Sequence, residues 1–132
     1  MKKLISFCIL FFIAFAVKAQ TEAETLEWLR TKQKTIRDIS SVVIGRRSGK
    51  LTIDESSIKV SNAEVSTNIL WNKVKDVTAS LNDITIVSND LVDGKNAFIR
   101  LNIEGGISGK YVKALRHMAT LKGAKMVDDD LF

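Results

Sequence analysis

Apolar residues in this chain change rhythm twice, and that change restricts the fold more than any single residue does. Between Ser41 and Ile103 they alternate with polar neighbours: Leu51 and Ile53, Ile58 and Val60, Val77 and Ala79, Ile84 and Ile86, then Ile99, Leu101 and Ile103. Successive side chains of a strand point to opposite faces of a sheet, so alternation is what one buried face demands. The pattern predicts strands at 42–47, 50–54, 57–61, 67–71, 74–80, 83–88 and 97–103. Between them lie Ser48-Gly49, Glu55-Ser56, Asn62, Asn82-Asp83, Ser88-Asn89-Asp90 and Asp93-Gly94, and proline is absent from the whole chain. Turns therefore rest on Gly, Asn, Asp and Ser. Connections this short imply antiparallel pairing, because a parallel pair needs a crossover of about a dozen residues or more.

On either side of the alternating region the spacing turns helical. Residues 21–39 are expected to form a helix: Thr21 and Glu24 fit a capping box, and Glu22, Glu24 and Glu27 precede Arg30, Lys32, Lys34 and Arg37. That is the charge order a helix dipole favours. Leu26, Leu29, Ile36 and Ile39 give it one apolar stripe, with Trp28 off the stripe as an exposed anchor or the margin of a broader face. After Gly105-Gly106, Ser108 is placed to cap a second helix running to Lys122, with Tyr111, Ala114, Leu115, Met118 and Leu121 on its apolar face and Gly123 as its stop.

The first 19 residues read as a signal peptide. Lys2 and Lys3 precede an apolar run from Leu4 to Val17, and Val17-Lys18-Ala19 offers small residues for cleavage after Ala19. The run is short for a membrane-spanning helix, which needs about 20 apolar residues, so a retained anchor is the lesser expectation. Cys8, the one cysteine, lies inside the run behind Phe7, which is no lipoprotein setting, and the exported part has no thiol. Export to the periplasm or beyond follows. Residues 20–126 are then expected as one α+β domain, and residues 127–132, with Asp128-Asp129-Asp130, as an acidic tail.

The leader also distorts the charge. Lys2, Lys3 and Lys18 account for three of 20 basic residues, leaving 17 against 15 acidic. A surface so nearly balanced does not favour nucleic acid, whose nonspecific binding rests on neutralising several phosphates.

Seven short strands followed by one amphipathic helix is an order that resembles the pleckstrin-homology-like (PH-like) roll. The stretch Ile69-Leu70-Trp71-Asn72-Lys73-Val74-Lys75-Asp76-Val77 is similar to the mid-sheet segment of such domains, and Val112 to Gly123 resembles the closing helix of small exported bacterial proteins. The resemblance covers residues 41–123 and implies an antiparallel β-roll of about seven strands whose C-terminal helix caps one open end. The added N-terminal helix departs from that pattern. A plain sandwich of helices on antiparallel sheet accounts for the same element order.

Residues with chemistry to offer are few. His117, the sole histidine, has no cysteine or recognisable serine nucleophile to serve, and reads as a structural or solvated side chain. Zinc wants several Cys and His ligands, of which the exported part has one, and Asn89, Asp90, Asp93 and the 128–130 run do not follow calcium-loop spacing. No catalytic, metal or cofactor set is therefore expected. Gly45-Arg46-Arg47-Ser48-Gly49-Lys50 is the segment with most promise: Arg46, Arg47 and Lys50 on one hairpin can grip a phosphate or carboxylate by forked hydrogen bonds. In PH-like domains the equivalent hairpin often holds an anionic headgroup. A solvated turn explains the same residues.

Lys110, Lys113 and Arg116, with Lys122 and Lys125 beyond, form a basic stripe suited to peripheral contact with an anionic membrane or an acidic partner, or simply a solvated face. The leading expectation is a non-enzymatic binding module of the cell envelope, its partner a protein or peptide paired to a sheet edge. Two others are recognition of an anionic small molecule or headgroup at the first hairpin, and a hydrolase using carboxylates such as Asp54, Glu55, Glu64 or Glu104.

Overall fold

A computed structural model describes residues 22–44, 49–104 and 106–126. The expected signal segment, Thr21 of the expected capping box, Arg46, Arg47 and the acidic tail lie outside the described residues.

The described residues begin with helix α1 over residues 22–32, which buries Leu26 and Leu29 and ends in a 3-10 turn at Gln33–Thr35. Thr35 closes that turn by donating from Oγ1 to the Lys32 carbonyl at 2.6 Å. The helix expected to reach residue 39 therefore stops seven residues early. Ile36–Ser41 is instead strand β1, paired antiparallel with Lys95–Ile103, and Ile36 and Ile39 meet the core from a strand. The reason is tertiary: β-branched Thr35, Ile36 and Ile39 resist a helix only weakly, and a ladder to a buried neighbour outweighs propensity.

The strand expected at 42–47 is not formed over its described residues, 42–44. Residues 42–44 are a bend, where Val42 still donates to the Phe98 carbonyl and the Ser41 and Ile44 backbones bond to each other. Then follow β2 (Lys50–Ile53), β3 (Ser57–Ser61), β4 (Ser66–Leu70), a 3-10 turn (Trp71–Lys73), β5 (Val74–Ser80), β6 (Asp83–Val92), β7 (Lys95–Ile103) and helix α2 (Ser108–Leu121). Strands β6 and β7 outrun their expected limits because a two-residue turn, Asp93-Gly94, joins them with both residues at positive φ. That turn matches the twist of the strands it connects.

All pairings are antiparallel, in two sheets: β1-β7-β6-β5 and β2-β3-β4. Their apolar faces meet in one cluster. Leu51, Ile53, Ile58, Val60 and Ile69 come from the smaller sheet, and Val74, Val77, Ile84, Ile86, Ile99, Leu101 and Ile103 from the larger. Trp71, at the corner between sheets, is buried and hooks the β2–β3 turn twice, its Nε1 donating to Asp54 O at 2.8 Å and its backbone N to Ser56 O at 3.1 Å.

Helix α2 covers the larger sheet with Tyr111, Leu115, Met118 and Ala119, while Ala114 and Leu121 are only partly buried. Ser108 does not cap it, contrary to expectation: the N-cap is Ile107, and the serine hydroxyl donates to Leu81 O at 2.9 Å, tying the helix to the β5–β6 turn. At the other end Gly123 takes φ +95°, which lets Ala124 N reach Ala119 O and Gly123 N reach Thr120 O. Those two bonds are a Schellman stop, as the glycine implied. The Tyr111 hydroxyl donates to Leu29 O at 3.1 Å across 82 residues, and burial raises its pKa well above the ordinary tyrosine value.

Candidate functional site

Two surfaces stand out once the elements are in place: one sheet edge, and a groove between the helices. An edge strand offers a row of backbone donors and acceptors, so the question is which edges are already used. In β2 the register turns the Leu51 and Ile53 carbonyls away from β3, and both are taken: Gln33 Nε2 donates to Leu51 O at 2.7 Å and Arg30 Nε to Ile53 O at 2.8 Å. Arg30 also meets Asp54 at 3.5 Å. On β5, Val77 N donates to Asp76 Oδ1 at 2.8 Å, while Arg116 Nη1 reaches both Val77 O and Asp76 Oδ1 at 3.0 Å. Strand β1 runs against Gly49, where a Cβ would lie 2.6 Å from Val60 Cγ1 and 3.2 Å from Ile39 O. Only glycine allows that approach without something moving.

The outer edge of β4 has no such cover. It ends the smaller sheet, and the bond from Trp71 N to Ser56 O sets the alternation: Thr67 and Ile69 face β3, and Ser66, Asn68 and Leu70 face outward. Among the described residues no strand or side chain pairs with those outward groups. The β3–β4 register carries no bulge, and β4 holds no proline or charge, the usual means of blunting an edge. Val65 and Leu70 flank it at 43% and 40% exposure.

The groove lies between α1 and the outward side of α2. Glu24, Thr25 and Trp28 line it from α1, and Lys113, Ala114 and His117 from α2, around an open hollow of about 510 Å³. Its floor is the Trp28 ring, held 5.7 Å from the Tyr111 ring at 42°. Past His117 and Lys113 it continues along Arg116, Thr120, Lys125 and Met126, with about 530 Å³ more. Trp28 is thus neither a free anchor nor core, but half-buried beneath a rim of cations.

Of the residues singled out from sequence, Lys50 is exposed at the first position of β2, opposite Ser61, while Arg46 and Arg47 lie outside the described residues. Asp54 and Glu104 are brought to arginines and not to each other: Asp54 to Arg30, Glu104 to Arg37. Asn89 and Asp90 belong to the irregular stretch of β6 organised by Ser88, whose Oγ accepts from Asp90 N at 3.0 Å. Asn62 Oδ1 accepts from the backbone of Glu64 and Val65 at the β3–β4 turn, so Glu64 sits at a built turn. No three His, Cys, Asp or Glu side chains among the described residues gather to hold a metal ion. Sequence reading treated Trp28 and His117 separately and missed the groove they share. Its one trace was a tryptophan off the apolar stripe of its helix.

No family model matches the chain, and no curated protein matches its sequence.

Proposed function

We propose that this chain is a non-enzymatic binding module of the cell envelope, exported by its leader, with a PH-like roll that takes an extended peptide as an added strand on β4. The observation that carries this reading is the contrast between edges: side chains occupy the outward backbone of β2 and β5, whereas Ser66, Asn68 and Leu70 present theirs to solvent. Strand addition draws affinity from main-chain hydrogen bonds and selectivity from alternate side chains. Val65 and Leu70 supply apolar contacts beside the row. The PH-like reading draws support from two antiparallel sheets followed by a C-terminal helix. Arginine pairing of Asp54 and Glu104 favours binding over hydrolysis, because each carboxylate ties one element to another.

The test is selection of displayed peptides against the full chain, followed by hydrogen exchange on the complexes. Bound peptides are expected to slow exchange at Ser66, Asn68 and Leu70, and Asn68→Pro, which deletes an outward N–H, should cost at least about tenfold in affinity. Protection confined to other strands, or equal binding to Asn68→Pro, would overturn the reading.

A further inference from the structure

The geometry points to the α1–α2 groove as a second, separate binding site, one that takes an acidic peptide segment carrying an aromatic or large aliphatic residue. Four observations carry it. First, the basic stripe of α2 is divided by function. Arg116 is committed to Asp76 and Val77, and Lys122 to Glu22 of α1, so both serve the fold. Lys110, Lys113 and Lys125 are exposed and have no acidic partner among the described residues.

Second, those unspent cations border one track. Lys110 and Lys113 line one open hollow with Trp28 and Ala114, and Lys113 and Lys125 border the continuation past His117. Third, the Trp28 ring in the first part packs at a tilt of 42° against the buried Tyr111 ring, which restrains it. A restrained ring beside lysines offers apolar contact and charge within one side chain's reach, at little cost in ordering. Fourth, Glu24 is the only carboxylate among the described residues that line the track, and it stands at the α1 end, so the lining along α2 is positive.

Charge complementarity therefore selects an acidic occupant, and Trp28 adds apolar contact for one of its side chains. A peptide strand can lay one ring or aliphatic side chain on Trp28 and its carboxylates on Lys110, Lys113 and Lys125.

The probe is a blocked synthetic peptide, Glu-Asp-Glu-Asp-Phe, titrated into the full chain while tryptophan emission is followed. Trp71 is buried, so a change reports Trp28. Binding should weaken by about tenfold or more in a Lys110→Glu, Lys113→Glu variant and fall with salt. It should also be lost when Phe becomes Ala or the acids become amides. The chain's own Asp128-Asp129-Asp130-Leu131-Phe132 has the same chemistry; tighter probe binding after Asp128, Asp129 and Asp130 are changed to Asn would support the site and name a competitor. Absence of binding in both forms, indifference to the charge reversal, or equal response to anionic phosphatidylglycerol vesicles would overturn the proposal. Asn68→Pro should leave this binding intact, which separates its fate from that of the β4 reading.

Discussion

The side of the molecule covered by helices and the side that ends at β4 handle unpaired backbone in opposite ways. On the covered side, long polar side chains reach across to it: Arg30 and Gln33 to β2, Arg116 to β5, and the Tyr111 hydroxyl to the last turn of α1. At β4 no described residue pairs with the outward backbone, although the strand is regular and buries Thr67 and Ile69. Covering an edge removes a site of association, and leaving one bare invites a strand. The difference locates where this fold closes on itself and where described residues leave strand backbone unpaired.

The sharpest way to break that comparison uses neighbouring residues of β4. Ile69→Pro removes an N–H committed to β3 and disturbs a fully buried side chain, so it should cost at least about 3 kcal/mol and can prevent folding. Asn68→Pro removes only an outward N–H and should cost less than about 1 kcal/mol. Urea unfolding of both variants decides it, and equal losses would mean that β4 is not an edge of this register. On the covered side, Arg116→Leu strips the cap from Val77 and leaves Asp76 without that guanidinium. Because the pair is partly buried, a loss of about 2 kcal/mol is expected, with faster exchange at the Val77 amide. A loss under about 0.5 kcal/mol would make the cap ornamental.

At neutral pH the tie between helices has a smaller effect than the Arg116 cap. Tyr111→Phe should cost about 1 kcal/mol, the net worth of one hydrogen bond. Its larger signature is alkaline. The folded hydroxyl holds its proton to higher pH than the unfolded one, whose pKa is near the ordinary tyrosine value of 10.0. Stability is therefore constant below that value and falls as pH rises through and beyond it. Tyr111 is the only tyrosine, so tyrosinate absorbance should appear only with unfolding, and Tyr111→Phe should remove that part of the slope.

Much of this was legible in the residues. Alternation at 84/86, 99/101/103 and 58/60 became buried sheet faces, and Gly123 became the helix stop. What misled was the stretch 33–44, where a stripe built from Ile36 and Ile39 fits a helix and a strand alike. A short apolar spacing carries no record of the ladder that β7 offers it. Ser108 shows the same thing at a smaller scale: a good capping residue spent its hydroxyl on the Leu81 carbonyl, which only folding brings near.

The groove illustrates the limit more fully. Residues 24–28 and 113–117 each display an unremarkable polar helix face, and nothing local relates one to the other. Sequence by itself determined that a run of short antiparallel strands precedes a closing helix, and which alternating residues of β3, β6 and β7 are buried, because periodicity and turn chemistry act over a few neighbours. Tertiary structure alone decided the strand order, which edges are capped, which cations are spent on the fold and which remain beside Trp28. Those outcomes depend on side chains meeting across tens of residues, where distance along the chain says nothing about distance in space.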